Sequence, residues 1–316
     1  MYKIAIVGVG QLGSRYLQGL AVSDIEISLE IVEPFDRSIK LAQSRLKEIE
    51  NKAIMNIKWL KDIKDLSDKI DLVIVTTTAD VRSNIVKYLL KNKIVNNLLL
   101  EKVLFQKEDD FYDIEKLLKE KNVKCWVNHP RRIYPFYQKL KEKLKNKKIF
   151  LDFKGSNWGL ACNGMHFIDL LSYLTDSYEL NIETKYLEKR IYNSKREKFK
   201  EINGMLIGTL DQHIFSLYST IYNISNCLKI IADDLIYEIN ESTGEYKIWD
   251  GEKWQTKNER IIFYQSEITP SLVKDIFEEN CKLPTYTESM KLHIPFIKEL
   301  TKHFKTFGSF NYCPIT

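Results

Sequence analysis

Three glycines stand in a turn whose spacing suits the binding of phosphates. Gly8, Gly10 and Gly13 form a G-x-G-x-x-G run directly after the apolar stretch KIAIV (residues 3–7). The first glycine permits a tight turn, the second lets the backbone approach a pyrophosphate, and the third lets helix and strand pack closely. Gln11 and Leu12 complete the loop, and the phosphates would rest on the start of the following helix, where N–H groups and the helix dipole favour anions. Glu33 closes a second apolar run, ISLEIVE (27–33), twenty residues beyond Gly13. A carboxylate at that spacing takes the hydroxyls of an adenosine ribose. It would also repel a 2′-phosphate, which favours NAD, while Arg37 four residues on offers a counter-charge that would admit NADP.

Further along, Thr76 and Thr77 end the buried run DLVIVTTT, and Glu101 and Lys102 end NNLLLEK. Ligands of parallel sheets bind at such carboxyl ends, and small hydroxyl side chains there can line a cofactor. His166 has a side chain that titrates near neutrality and moves protons as acid or base. His166, Asp169 and Tyr173 fall at i, i+3 and i+7, one stripe of a helix, so Asp169 is placed to hold and polarise the imidazole. The plain alternative is a half-buried structural histidine. Arg131 and Arg132 are adjacent; two such guanidiniums grip a phosphate or carboxylate, or form a solvated pair. Trp158 offers a face for a sugar ring or, equally, a piece of core.

The elements that position these residues read as two regions. Strand and helix patterns alternate from residue 3 to 128: strands at 3–7, 27–33, 71–78, 96–102 and 123–128, with helices at 11–22, 36–50, 81–93 and 109–121. That alternation calls for a parallel doubly wound sheet with right-handed crossovers. From about residue 130 the runs alternate apolar and polar residues, as in an antiparallel sheet covered on one face. Strands are expected at 148–155, 182–192, 204–210, 213–222, 227–233, 235–240, 246–250 and 260–265, and helices at 164–175, 267–281 and 286–305. The expected domains are 1–128, for dinucleotide binding, and 129–316, for substrate and oligomerisation, with the helix at 286–305 able to pack back on the first.

Composition narrows the classes. The 316 residues carry 48 basic and 43 acidic side chains, net +5, interspersed and without a basic stripe holding aromatics, so nucleic acid is not an expected partner. No apolar run approaches the roughly 20 residues of a membrane span. Cys125, Cys162, Cys227, Cys281 and Cys313 are scattered and unpaired in spacing, which argues against zinc or a disulfide framework and for a reducing, cytoplasmic setting.

Taken in order, the glycine turn, EKV (101–103), VNHPRRIYP (127–135), CNGMHFIDLLSYL (162–174) and LPTYTESMKLH (283–293) resemble the glucose–fructose oxidoreductase/inositol dehydrogenase (Gfo/Idh/MocA) family over nearly the whole chain. The resemblance implies an α/β fold, a Rossmann domain followed by an α+β domain with a large open, mostly antiparallel sheet. It implies hydride transfer between a nicotinamide and a sugar, polyol or nucleotide-linked sugar. In that pattern Lys102 bridges cofactor and substrate hydroxyl, steadying the alkoxide, and His166 moves the proton, with Asp169 beside it. Arg132, or Arg131, lies near cofactor and substrate. The family's proline after the lysine is Val103 here, which argues against a cis peptide. The family's aspartate four residues before the histidine is Cys162, and the neighbouring Asn163 is left to orient a sugar hydroxyl. Relatives that bind the cofactor without chemistry, or that recycle NAD within another reaction, are the competing functions. The aromatic strands of the second sheet, such as HIFSLYSTIY (213–222), suggest a homodimer or homotetramer.

Overall fold

The computed structural model describes residues 1–316. The chain divides into two compact units. One comprises Met1–Phe105, Asp109–Asn128 and Phe263–Tyr286; the other comprises Gln106–Glu108, His129–Ile262 and Thr287–Thr316.

In the first unit the chain runs through β1 (Tyr2–Val7), α1 (Gly13–Ala21), β2 (Ile27–Val32), α2 (Asp36–Leu46), β3 (Ile54–Leu60), β4 (Lys69–Val75), α3 (Ala79–Asn92), β5 (Ile94–Leu100), α4 (Glu108–Lys121) and β6 (Lys124–Val127). The six strands pair in the order β3-β2-β1-β4-β5-β6, all parallel. This is the doubly wound order, which reverses direction between β1 and β4. The apolar runs explain it: Ile4, Ala5, Ile6 and Val7 of β1 and Leu72, Val73, Ile74 and Val75 of β4 are all buried, as strands with helices on both faces require. β3 is an addition to the sequence expectation. IMNIKWL places polar Asn56 and Lys58 in its middle, buries only Ile54, and sits at the sheet edge, where a strand needs to bury only one side. Within this unit α1 also packs against α7 (Gln265–Phe277), where Gly19 lies so close to Thr269 that a Cβ would fall 2.5 Å from the threonine side chain.

The second unit holds α5 (Pro135–Leu144), β7 (Ile149–Ser156), α6 (Leu160–Thr175), β8 (Leu180–Leu187), the short pair β9 (Tyr192–Asn193) and β10 (Lys200–Glu201), then β11 (Gly204–Leu210), β12 (His213–Thr220), β13 (Cys227–Ala232), β14 (Leu235–Ile239), β15 (Glu245–Trp249) and β16 (Trp254–Asn258). Eight of these strands form one sheet in the order β16-β15-β14-β13-β7-β12-β11-β8, antiparallel except for the parallel β7–β12 pair. Leu151, Phe153, Phe215 and Leu217 face inward, and α6 packs on β7 and β12. The α8 helix spans Tyr286–Lys305, and Thr287 onward belongs to this unit.

The strand expected at 260–265 does not form. Residues 260–264 are irregular, and α7 already starts at Gln265, its first turn closed by the Glu267 carboxylate accepting from the Tyr264 N–H. The last strand is instead β16, whose polar sequence WQTKN hid it at the sheet edge. The helix at 135–144 begins with Pro135 at its first position, where a proline's missing N–H costs nothing. No helix is long and apolar enough to cross a membrane.

Candidate active site

The carboxyl ends of β1, β2, β4 and β5 gather the residues expected to hold a dinucleotide. Gly8 adopts φ +90°, and a Cβ at Gly13 would lie 2.1 Å from the Gly8 carbonyl oxygen and 2.6 Å from Thr76 Oγ1, so both positions need glycine. Thr76 in turn donates its hydroxyl to the Gly8 carbonyl, tying the end of β4 to the turn. Gly10 differs: nothing in the protein lies within 4 Å of where its Cβ would be. Its backbone is therefore open to an approaching group. No side chain caps the start of α1, which suits an anion there.

Glu33 is buried, with Oε2 accepting from the Val9 N–H at 2.9 Å and Oε1 from the Phe35 N–H at 3.0 Å. The residue expected at the ribose thus also braces the glycine turn. Gln11 is held by Arg45 of α2, which donates to its carbonyl at 2.7 Å and to its Oε1 at 2.6 Å. Arg37 is exposed on the first turn of α2, and Leu12 is half-buried.

Lys102 is half-buried just beyond β5. The Lys102–Val103 peptide is cis, which corrects the expectation drawn from the missing proline. The surroundings explain how the turn is held. Arg82 of α3, only 2% exposed, donates to the carbonyl oxygens of Thr77, Glu101, Val103 and Leu104, so one guanidinium fixes the loops after β4 and β5 together. Glu101 is 5% exposed, and its Oε1 accepts from Tyr16 Oη at 2.8 Å and Asn128 Nδ2 at 2.8 Å. Burial raises its carboxyl pKa above the ordinary value, with those two donors pulling back.

These residues fit a bound dinucleotide: an open approach at Gly10, an uncapped helix start, a carboxylate at the end of β2, and two buried side-chain oxygens, Thr77 Oγ1 and Asn128 Oδ1, with no partner in the protein.

The second unit holds the proton-moving candidates. Asp169, fully buried on α6, is gripped by Arg132 through Nε to Oδ2 at 2.9 Å and Nη2 to Oδ1 at 2.8 Å. Burial opposes the Arg132 charge, and Asp169 more than offsets this, keeping the guanidinium firmly protonated. His129 Nδ1 lies 3.9 Å from Asp169 Oδ2, and the His129 ring meets His166 and His293 edge to face, centroids 5.4 and 5.7 Å apart. The arrangement therefore centres on three histidines, with Arg132 as the observed ion-pair partner of Asp169. Nδ1 of His293 lies 2.9 Å from the Ser289 carbonyl one turn earlier. Two of the three rings, His129 and His293, are buried and His166 is half-buried, and imidazoles grouped around one ion pair are the side chains suited to accept and pass a proton.

The remaining candidates sit apart from that cluster. Arg131 pairs with Glu241 and stacks on Phe167, 4.6 Å from the ring centroid. Trp158 packs edge-on to Phe153 and Phe167 and donates Nε1 to the Tyr218 carbonyl, while Asn163 Nδ2 donates to the Trp158 carbonyl. Both therefore fasten the start of α6. Glu201 of β10 reaches the same place: its carboxylate accepts from the N–H groups of Ala161 at 2.9 Å and Cys162 at 3.2 Å. Burial raises the Glu201 pKa, and hydrogen bonds from Cys162 and Ala161 work against it.

Sequence reasoning did not single out Arg82, Asn128, His129, His293 or Glu201. Asn128 and His129 lie inside the VNHPRRIYP stretch, where burial was the missing signal. Nothing in the sequence separates Glu201 from other surface acids.

Residues 2–129 match the family described as "Oxidoreductase family, NAD-binding Rossmann fold", Gfo/Idh/MocA. The first unit thus contains an NAD-binding Rossmann domain of the Gfo/Idh/MocA oxidoreductase family. No curated protein matches the chain in sequence. Among solved structures, UDP-N-acetylglucosamine 3-dehydrogenase from Acidithiobacillus ferrooxidans is similar at 12% identity and TM-score 0.72, covering 94% of this chain and 96% of that one. An oxidoreductase from Agrobacterium radiobacter, in complex with NAD+, L-tartaric acid and magnesium, is similar at 10% identity and TM-score 0.70, covering 93% and 94%. A super-repressor mutant of Gal80p from Saccharomyces cerevisiae is similar at 15% identity and TM-score 0.71, covering 97% and 96%. At these identities the likeness is one of fold.

Proposed function

We propose that the chain transfers a hydride between NAD(H) and a carbon bearing a hydroxyl or carbonyl in a sugar, polyol or nucleotide-linked sugar. The bound nicotinamide supplies the hydride or takes it up. His166 removes the hydroxyl proton or returns it, with His129 beside it to share the charge. Lys102 steadies the developing alkoxide. Asp169 and Arg132 act as a neutralised pair that fixes the helix face carrying His166. Glu201, at the head of the same helix, supplies a carboxylate next to Cys162, where the family pattern has an aspartate. NAD is the preferred cofactor, because Glu33 disfavours a 2′-phosphate, and the exposed Arg37 makes NADP the weaker alternative.

The observation that carries this reading is the three-histidine cluster, with His129 and His293 buried and His166 half-buried, in a chain that also contains an NAD-binding oxidoreductase domain. Adding purified protein to NAD+ or NADH with a panel of sugars, polyols and nucleotide sugars tests it. A net change in absorbance at the NADH band supports the reading, and product without net change indicates NAD recycled within another reaction.

Cys162 in place of the aspartate, and the likeness to a Gal80p super-repressor structure, favour one second reading: a cofactor-binding regulator without chemistry. Dinucleotide binding with no turnover on any member of the panel is its signature. In either case we propose a homodimer or homotetramer through the outward face of the second unit's sheet, where exposed Phe150 and Ile214 are paired neighbours.

A further inference from the structure

Asn128 stands at the end of β6, one residue past the last residue of the strand, and is 3% exposed. Its orientation is fixed by a chain of hydrogen bonds within the first unit. Thr269 Oγ1 donates to the Gln265 carbonyl and accepts from Gln265 Nε2 at 3.2 Å, which turns Gln265 Oε1 toward Asn128. Asn128 Nδ2 donates to that oxygen at 2.9 Å and to Glu101 Oε1 at 2.8 Å, and Glu101 Oε1 accepts from Tyr16 Oη as well. Two acceptors therefore claim the amide nitrogen, and a flipped amide would set oxygen against oxygen at both. What remains is Asn128 Oδ1, buried and with no partner in the protein. A buried acceptor left in that state is costly unless a donor reaches it.

The position says which donor. The glycine turn and Glu33 lie at β1 and β2, on the half of the sheet that takes the adenosine, and the order then runs outward through β4 and β5 to β6. A dinucleotide laid across the reversal point puts its second base over the carboxyl ends of β4, β5 and β6. The nicotinamide ring carries a carboxamide whose NH2 group has two donors. We infer that Asn128 Oδ1 accepts a carboxamide N–H of the nicotinamide and so sets which face of the ring is presented. Glu101, Gln265 and Tyr16 act through Asn128, as positioning residues. The inference rests on the NAD(H) reading proposed above.

The test is calorimetric titration of the full chain with three ligands: NAD+, 3-acetylpyridine adenine dinucleotide, in which a methyl group replaces the NH2, and ADP-ribose, which lacks the ring. Wild type is expected to bind NAD+ about tenfold more tightly than the acetylpyridine analogue, the worth of one good hydrogen bond. In Asn128→Ala that preference falls to within about twofold, while ADP-ribose affinity stays within about twofold of wild type. Equal affinity of wild type for NAD+ and the analogue overturns the inference, and this comparison needs no variant to fold. So does a preference that survives in Asn128→Ala, or a loss of ADP-ribose affinity in step with NAD+, which marks a structural role. Failure of wild type to bind ADP-ribose would overturn the cofactor reading itself, and this inference with it.

Discussion

At the scale of single residues, the glycine turn separates two requirements that the motif runs together. Gly13 has no room for a methyl group, since one would overlap the Gly8 carbonyl and the Thr76 hydroxyl. Gly10 has room in the protein, and its demand for glycine comes from outside. Gly13→Ala is therefore expected to lower the thermal midpoint by several degrees and abolish dinucleotide binding. Gly10→Ala should leave the midpoint within about a degree while weakening ADP-ribose about tenfold or more, read by calorimetry beside a melting curve. Equal destabilisation by both would mean that Gly10, too, is a packing glycine. This turn, Glu33 and the pattern of buried strands were legible in the sequence, because they depend on spacing along one short segment. The network around Asn128 and Arg82 was not, because its members come from α1, α3, β5, β6 and α7 and mean nothing until the sheet brings them together.

At the scale of elements, the loops after β4 and β5 depend on α3. Arg82 satisfies four carbonyl oxygens at once from a fully buried position. Arg82→Met keeps much of the bulk and removes every donor, and is expected to cost about 3–5 kcal/mol in urea unfolding. A loss below about 1 kcal/mol would show that the loops hold themselves. The second unit carries a pH-sensitive joint. His213, at the start of β12, accepts the Ile149 N–H on Nδ1 at 3.0 Å, so this nitrogen must be unprotonated. Burial lowers its pKa, and the nearby Lys148 lowers it further while Asp211 opposes. For a base with a depressed pKa, the stabilisation is present above the ordinary imidazole value of about 6.5 and is lost as pH falls through it, because the unfolded chain takes the proton first. Unfolding midpoints measured from about pH 7.5 to 5.5 should fall for wild type and fall less for His213→Gln. Identical slopes would remove His213 from the account. Element boundaries missed by the sequence, β3 and β16, share one cause: edge strands bury one side only and so carry too little apolar pattern to be read.

At the scale of the whole molecule, the second unit's sheet leaves Ile231, Phe150 and Ile214 in one row on its outward face, with the Lys229–Glu238 ion pair close by. An apolar row beside charges of both signs is self-complementary about a two-fold axis. Light scattering at micromolar concentration is expected to give at least about twice the 37.3 kDa chain mass, and Phe150→Asp with Ile214→Asp should halve it. A wild-type monomer would refute this. The oxidoreductase expected from the motifs draws its support from the first unit, where fold and family model agree.

The central claim is that His166 moves the proton and Lys102 steadies the oxyanion in an NAD(H)-linked reaction. The most direct measurement is the rate of NADH absorbance change on the best substrate of the panel, for wild type, His166→Asn and Lys102→Ala, with ADP-ribose affinity measured on each. The account predicts that kcat falls by about 100-fold or more in both variants while ADP-ribose affinity holds. Turnover in either variant within about threefold of wild type would contradict it.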